Sequence, residues 1–208
     1  MCGRYVITNP VSKTKKIVKS AIKVDDLENY NAHPYQNLPV IKKYINGNTL
    51  ENLKWGMVPS WSKKKEFKPL INARLETIDE KVSFKKLIKL TRCIAVADGF
   101  SEWKREEKYK VPYYFLREDK KIMYIAAIYD NNEFCLITEE ATKKVNEIHH
   151  RQPVILNESD VKRYLNIELD GSNFLKVCKR PKLEFYQISK DVNKPTNNSI
   201  SLIQKSLN

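Results

Sequence analysis

The spacing of its apolar runs restricts the fold of this chain more than any other feature. Residues 40–45, 50–58, 92–96, 112–117, 122–129, 134–138 and 183–188 form short stretches rich in Val, Ile, Leu, Phe and Tyr. Polar, turn-forming residues separate them. Runs of this length and composition suit strands better than helices. Asn46-Gly47-Asn48 and Asp130-Asn131-Asn132-Glu133 lie between successive runs, as hairpin turns would. Residues 2–7 read as a further strand. Helical spacing is confined to short pieces: 12–22 behind a Ser12 cap, from Thr77 or Asp79 to about 90, then 141–148, 160–165 and 173–179. No linker, repeat or low-complexity tract divides the 208 residues. The pattern therefore predicts many strands and a few short helices in a single domain over 1–208.

No apolar run approaches the roughly 18 residues of a membrane span, and the N-terminus lacks a charged-then-apolar leader pattern. A cytoplasmic, nucleoid-associated protein without a membrane partner is expected. Cys2, Cys93, Cys135 and Cys178 are far apart and form no CxxC pair. Neither a metal site nor a redox pair is predicted, and no cofactor. The last three sit in apolar settings and read as buried and inert. The 38 Lys and Arg against 25 Asp and Glu leave a net charge of +13. Such an excess fits polyanions, DNA or RNA first, although abundant Lys and Asn also follow from an AT-rich genome.

Several residues could carry chemistry. Cys2 is a small residue after Met1, the context in which an initiator methionine is trimmed. Trimming would place a free amine and a thiol on adjacent carbons, a pair that condenses with aldehydes to a five-membered ring. The alternative is an ordinary apolar residue opening a strand. Trp55 and Trp61 bracket Gly56 and Pro59 and precede Lys63-Lys64-Lys65, which reads either as a stacking shelf beside a phosphate-binding run or as core next to a solvated face. Glu102, between a turn and Trp103, is either an acid–base group with a raised pKa or a surface ion-pair partner. His149 and His150 end a short helix before Arg151. Such a His is a proton shuttle beside an anion site or a helix-end contact.

Together these stretches resemble the SOS-response-associated peptidase (SRAP) domain, the family of abasic-site processing proteins. The resemblance rests on Met1-Cys2-Gly3-Arg4-Tyr5, Tyr30-Asn31-Ala32-His33-Pro34, Trp55-Gly56-Met57-Val58-Pro59-Ser60-Trp61, Asn72-Ala73-Arg74-Leu75-Glu76-Thr77, Asp98-Gly99-Phe100-Ser101-Glu102-Trp103 and His149-His150-Arg151-Gln152-Pro153. They occur in family order and span nearly the whole chain. Gln152 departs from the usual Met, His150 from a common acidic residue and Ser101 from a frequent aromatic. The resemblance implies an α+β fold with a mixed, largely antiparallel, partly barrel-like sheet and peripheral helices, a monomer, and single-stranded DNA containing abasic sites as the partner. It implies that trimmed Cys2 forms a thiazolidine crosslink with the open-chain aldehyde. Asn72 would position Cys2 or the sugar. Glu102 would move protons in condensation and in removal of preceding residues, and His149 would open the deoxyribose and support weak lyase activity. Arg4, Arg74 and Arg151 would bind phosphates, while Pro34 and Trp55 would pack on flanking bases. Two other readings remain: a thiol peptidase acting on other substrates, and a non-catalytic single-strand-binding module.

Overall fold

The fold is that of a computed structural model, which describes residues 2–60, 62 and 68–206. Fourteen strands and five short helices alternate along it. In chain order they are β1 (Tyr5–Thr8), α1 (Pro10–Thr14), β2 (Ser20–Ile22), β3 (Glu28–Ala32), β4 (Asn37–Tyr44), β5 (Gly47–Trp55) and β6 (Asn72–Arg74). Then come α2 (Leu87–Leu90), β7 (Arg92–Ala97), β8 (Gly99–Arg105), β9 (Lys110–Arg117), β10 (Met123–Asp130) and β11 (Glu133–Glu140). The last are α3 (Lys143–Asn146), β12 (Arg151–Pro153), β13 (Ile155–Leu156), α4 (Glu158–Tyr164), α5 (Gly171–Val177) and β14 (Leu183–Gln187).

The expected α+β class holds. One sheet runs β14-β9-β8-β1-β3, the other β12-β11-β10-β7-β4-β5-β2. In the larger sheet β5 also pairs in parallel with β11, through Lys54 and Trp55. Strands β11, β10, β7, β4 and β5 thereby close into a ring, which is the barrel-like part of the fold. Gly56 makes the exit from this ring: its φ of 121° lies outside the range of ordinary side chains, and its amide donates to the Phe134 carbonyl. One continuous core joins the two sheets, with Tyr5, Phe100 and Phe115 from the smaller and Trp55, Phe134 and Ile125 from the larger. The chain crosses between the sheets at Asp98, the single residue between β7 and β8. Its carboxylate accepts from the Thr8 amide and hydroxyl and from Lys13, which fixes that corner.

The helices are shorter than the periodicity predicts. Residues 12–22 divide into α1 and the exposed strand β2, which adds in parallel to β5. The segment from Thr77 to 90 is mainly turns ending in α2, with Val82 exposed. Sheet pairing and loop closure outcompete helices too short to sustain themselves. Glu102, predicted beside a turn, lies within β8, and residues 28–32 form a strand that the sequence pattern does not announce.

Candidate active site at the junction of two basic grooves

Cys2 precedes β1, and β1 pairs with β8 through Tyr5–Phe100 and Val6–Gly99. That antiparallel register, continued by the Ser101 amide donating to the Arg4 carbonyl, draws the start of the chain alongside Glu102. Gly99 permits it: a Cβ there would collide with the Phe115 carbonyl oxygen and the Tyr114 hydroxyl. Strand β11 supplies the other half. It pairs with β6 through Leu136–Asn72 and with β12 through Glu140–Arg151, so Asn72 and the segment carrying His149 arrive from its two flanks. Four segments distant in sequence thus deliver Cys2, Asn72, Glu102 and His149 to one place.

Asn72 Nδ2 donates to the Cys2 carbonyl at 2.9 Å. Cys2 is fully buried; burial, together with the Glu102 charge, pushes its thiol up to about 12. Glu102 is itself buried, and desolvation raises its pKa. His149 Nε2 stands 4.0 Å from Glu102 Oε2. In the neutral ring Nδ1 either accepts from the Arg151 amide N–H at 3.0 Å or donates to the Arg151 carbonyl at 3.2 Å, and Nε2 is the nitrogen facing Glu102. Burial, with the Arg105 and Arg151 charges adding to it, lowers the pKa of His149 and favours that neutral form.

Glu102 and His149 line a groove of about 660 Å³ whose walls are Trp103, Arg105, Tyr109, Lys110, Lys190 and Asn193. Lys190 Nζ lies 4.7 Å above the Tyr109 ring, and Trp103 Nε1 donates to Asn193 Oδ1 at 2.7 Å. Cations interleaved with aromatic faces suit a single strand, in which bases stack and phosphates pair. A second recess, of about 410 Å³, holds Arg74, Asn146 and His150. The stacked rings of His149 and His150, 4.6 Å apart, divide the two grooves, with His149 on the Glu102 side. Arg4 and Pro34 line a third recess with Tyr35, Pro69 and Ile71.

Two expectations need correction. Trp55 is no exposed shelf: it is fully buried, its ring 5.1 Å from that of Tyr5 and 6.3 Å from that of Phe134, with Nε1 donating to the Ile71 carbonyl. The apolar ring of strands claims it before solvent can. Arg151 is not free for phosphate either. Buried, it forms a two-pronged pair with Glu76 at 2.8 and 2.9 Å and donates to the Thr138 carbonyl. Cys93 and Cys135 are buried as expected, but Cys178 is only half-buried, beside the Arg180 guanidinium. Met1, Trp61 and Lys63 to Lys65 lie outside the described residues. Sequence reasoning missed Arg105, Tyr109, Lys110, Lys190 and Asn193 as groove residues. The alternation of cations around Glu102 and Trp103 could have flagged the first three, since Arg105 and Lys110 face each other across the β8–β9 hairpin. Lys190 and Asn193 carry no comparable signal.

The sequence profile of the SOS response associated peptidase (SRAP) family matches residues 1–195. The chain belongs to the SRAP family. It is 32% identical over 226 residues to the abasic site processing protein YoqW of Bacillus subtilis, spanning 98% of this chain and 99% of that one. Against the abasic site processing protein YedK of Escherichia coli the identity is 27% over 223 residues, with 98% and 99% covered. A crystal structure of a protein from Bacteroides thetaiotaomicron matches with a TM-score of 0.85 at 25% identity, over 99% of this chain and all of that one. The SRAP fold therefore extends over nearly the whole chain, including every segment that builds the site.

Proposed function

We propose that this protein processes abasic sites in single-stranded DNA by capturing the lesion covalently through Cys2, with autoproteolytic and weak lyase activity. The observation that carries the reading is the convergence of Cys2, Asn72, Glu102 and His149 beside a basic, aromatic groove. In this reading the Met1–Cys2 bond is first hydrolysed. Glu102 takes a proton from the attacking water and returns it to the departing Cys2 amine. An abasic deoxyribose is mostly a closed hemiacetal, and His149 Nε2–H polarises its ring oxygen to expose the aldehyde. The amine adds to the aldehyde carbon and one water leaves, giving an imine. The Cys2 sulfur then adds to the same carbon while its proton passes, by way of Glu102, to nitrogen. The product is a thiazolidine. Because amine and thiol share one residue, the second step is intramolecular and gains a large effective molarity. Asn72 holds the Cys2 carbonyl and so the direction of both nucleophiles. Arg4 and Arg74, with Arg105, Lys110 and Lys190, provide phosphate contacts that position the strand without reading sequence.

Intact mass after incubation with a single-stranded oligonucleotide bearing one abasic site tests this directly. The expected species is protein minus Met1, plus DNA, minus one water. Cys2→Ala should bind the same oligonucleotide and give no adduct. Trimmed wild-type protein that binds without forming an adduct would overturn the reading in favour of a non-catalytic single-strand-binding module, which the basic grooves alone would serve.

A further inference from the structure

Away from the site, the β4–β5 hairpin and the turn after α1 enclose a cavity of about 520 Å³. Lys15, Lys16, Lys19, Lys43 and Lys162 surround it, against one acidic neighbour, Glu158. None of these five lysines forms an ion pair with another described residue. Lys42, one residue from Lys43, shows the contrast: it pairs with Glu51 and sits 4.3 Å over the Tyr129 ring. The floor and lip of the cavity are apolar. Ile17, Val18 and Val161 line it, Tyr44 is partly exposed, and Ile45 at the hairpin tip is wholly exposed. The cavity lies at the Gly47 end of β5, whereas the active site adjoins the Trp55 end. Eight residue steps at a strand's rise separate the two by roughly 26 Å.

We propose that this cavity is a docking site for an acidic protein segment carrying large apolar side chains. The five lysines, exposed and without an ion pair among the described residues, make the cavity complementary to an anionic partner. Ile45, Ile17 and Val18 give a phosphate backbone nothing to bury, while a Leu or Phe between two carboxylates fills the floor and covers the exposed Ile45 at the same time. A partner held here leaves the groove beside Glu102 and His149 open, so docking and lesion capture are compatible. The surface fits recruitment to other proteins on the DNA rather than contact with the DNA itself.

Fluorescence anisotropy of the full chain with a labelled peptide of alternating Asp and Phe tests this, with an all-Asp peptide of equal length as control. The alternating peptide should bind more tightly than the all-Asp peptide, and its affinity should fall with added salt. Lys16→Glu with Lys43→Glu should weaken it about tenfold or more, and Ile45→Ser about fivefold, judged against a hot-spot scale of several-fold per anchor. Both variants should form the abasic-site adduct at the wild-type rate. Equal affinity for the two peptides would overturn the proposal. So would displacement of the peptide by lesion-free DNA together with indifference to Ile45→Ser, an outcome that identifies a nucleic-acid surface instead. Failure of adduct formation in all proteins, with peptide binding intact, would count against the capture chemistry alone.

Discussion

Replacing Asn31 should loosen one wall of the groove while leaving the chemistry intact. This side chain is buried at the end of β3. Its Nδ2 donates towards the carbonyls of Val192, Lys194 and Asn197 at 3.3, 3.0 and 2.9 Å. Its Oδ1 accepts from Arg4 Nη1, which also donates to the Val192 carbonyl at 2.8 Å. Asn31 and Arg4 thus clamp the strap of residues 190–197, and this strap supplies Lys190 and Asn193 to the groove. Asn31→Ala removes the four bonds made by this side chain and leaves Arg4 on the Val192 carbonyl. A net hydrogen bond is worth about 1 kcal/mol and a stranded buried partner costs about 1–3, but water reaches part of the strap, so about 3 kcal/mol in total is reasonable. For a domain of this size that lowers Tm by roughly 6–12 °C. Asn31→Asp keeps an acceptor for Arg4 but turns a second oxygen towards three carbonyls, and should cost at least as much. Calorimetry and binding to undamaged single-stranded DNA should show both variants less stable, with Kd raised about tenfold, equal to about 1.4 kcal/mol. The capture rate at saturating DNA should hold. An Asp variant as stable as wild type would show that the amide nitrogen does not face the carbonyls. A lost saturated rate with unchanged Kd would refute the clamp.

Other substitutions separate stability from chemistry. Burial raises the pKa of Glu102, so the folded state holds this proton more tightly than the unfolded chain; the benefit is complete below the ordinary carboxylate pKa of roughly 4.3 and disappears as pH rises through the folded value. Glu102→Gln should therefore raise Tm more at pH 8 than at pH 5 while slowing adduct formation, which thermal scans and gel shifts at both pH values will show. Asn72→Ala should cost about 1 kcal/mol of stability, yet slow capture by up to about 100-fold, because a misdirected Cys2 loses its near-attack geometry. Trp55→Ala should cost about 3–5 kcal/mol in denaturant titrations, with DNA affinity of the folded fraction unchanged. Lys190→Ala should weaken lesion-free strand binding and reduce the salt slope by nearly one ion, measured by anisotropy across a salt series.

What the sequence made legible follows from how local each signal is. Ring strands that hold a continuous apolar run announce themselves: β7, buried along its whole length, lies where residues 92–96 predict it. The motif residues Cys2, Asn72, Glu102 and His149 are identifiable as types, but their convergence depends on β11 pairing with both β6 and β12, a long-range register that no local pattern encodes. Trp55 and Arg151 show the reverse failure. Each sits in a motif whose composition reads as a DNA contact; for Trp55 the core alternative was open but undecided, and for Arg151 the competing demand was invisible until the partner was placed. For Trp55 that partner is the Tyr5–Phe134 stack; for Arg151 it is the Glu76 carboxylate. Asn31 is legible as part of a motif and illegible as a clamp, because the carbonyls it holds lie some 160 residues further along.

The burial of Cys2 bears on the order of steps in capture. While Met1 is attached, a thiol pushed up to about 12 is almost wholly protonated near neutrality, which keeps the sulfur quiet before trimming. The α-amine freed by trimming has an ordinary pKa of about 7.7–8.0, so about a tenth to a sixth of it is unprotonated at that pH. In the proposed reaction the amine attacks first, and the imine it forms would accept a sulfur whose proton is leaving at the same time. The neighbouring Glu102, a stronger base than a solvated carboxylate because it is buried, is placed to take that proton. Such an arrangement makes the sulfur reactive only towards a carbon already held by the same residue's nitrogen. A buried, protonated thiol also resists alkylation and oxidation, which act on exposed thiolates. In the proposed reaction, selectivity for an aldehyde over other electrophiles would need no recognition of the lesion beyond its fit beside Asn72, Glu102 and His149.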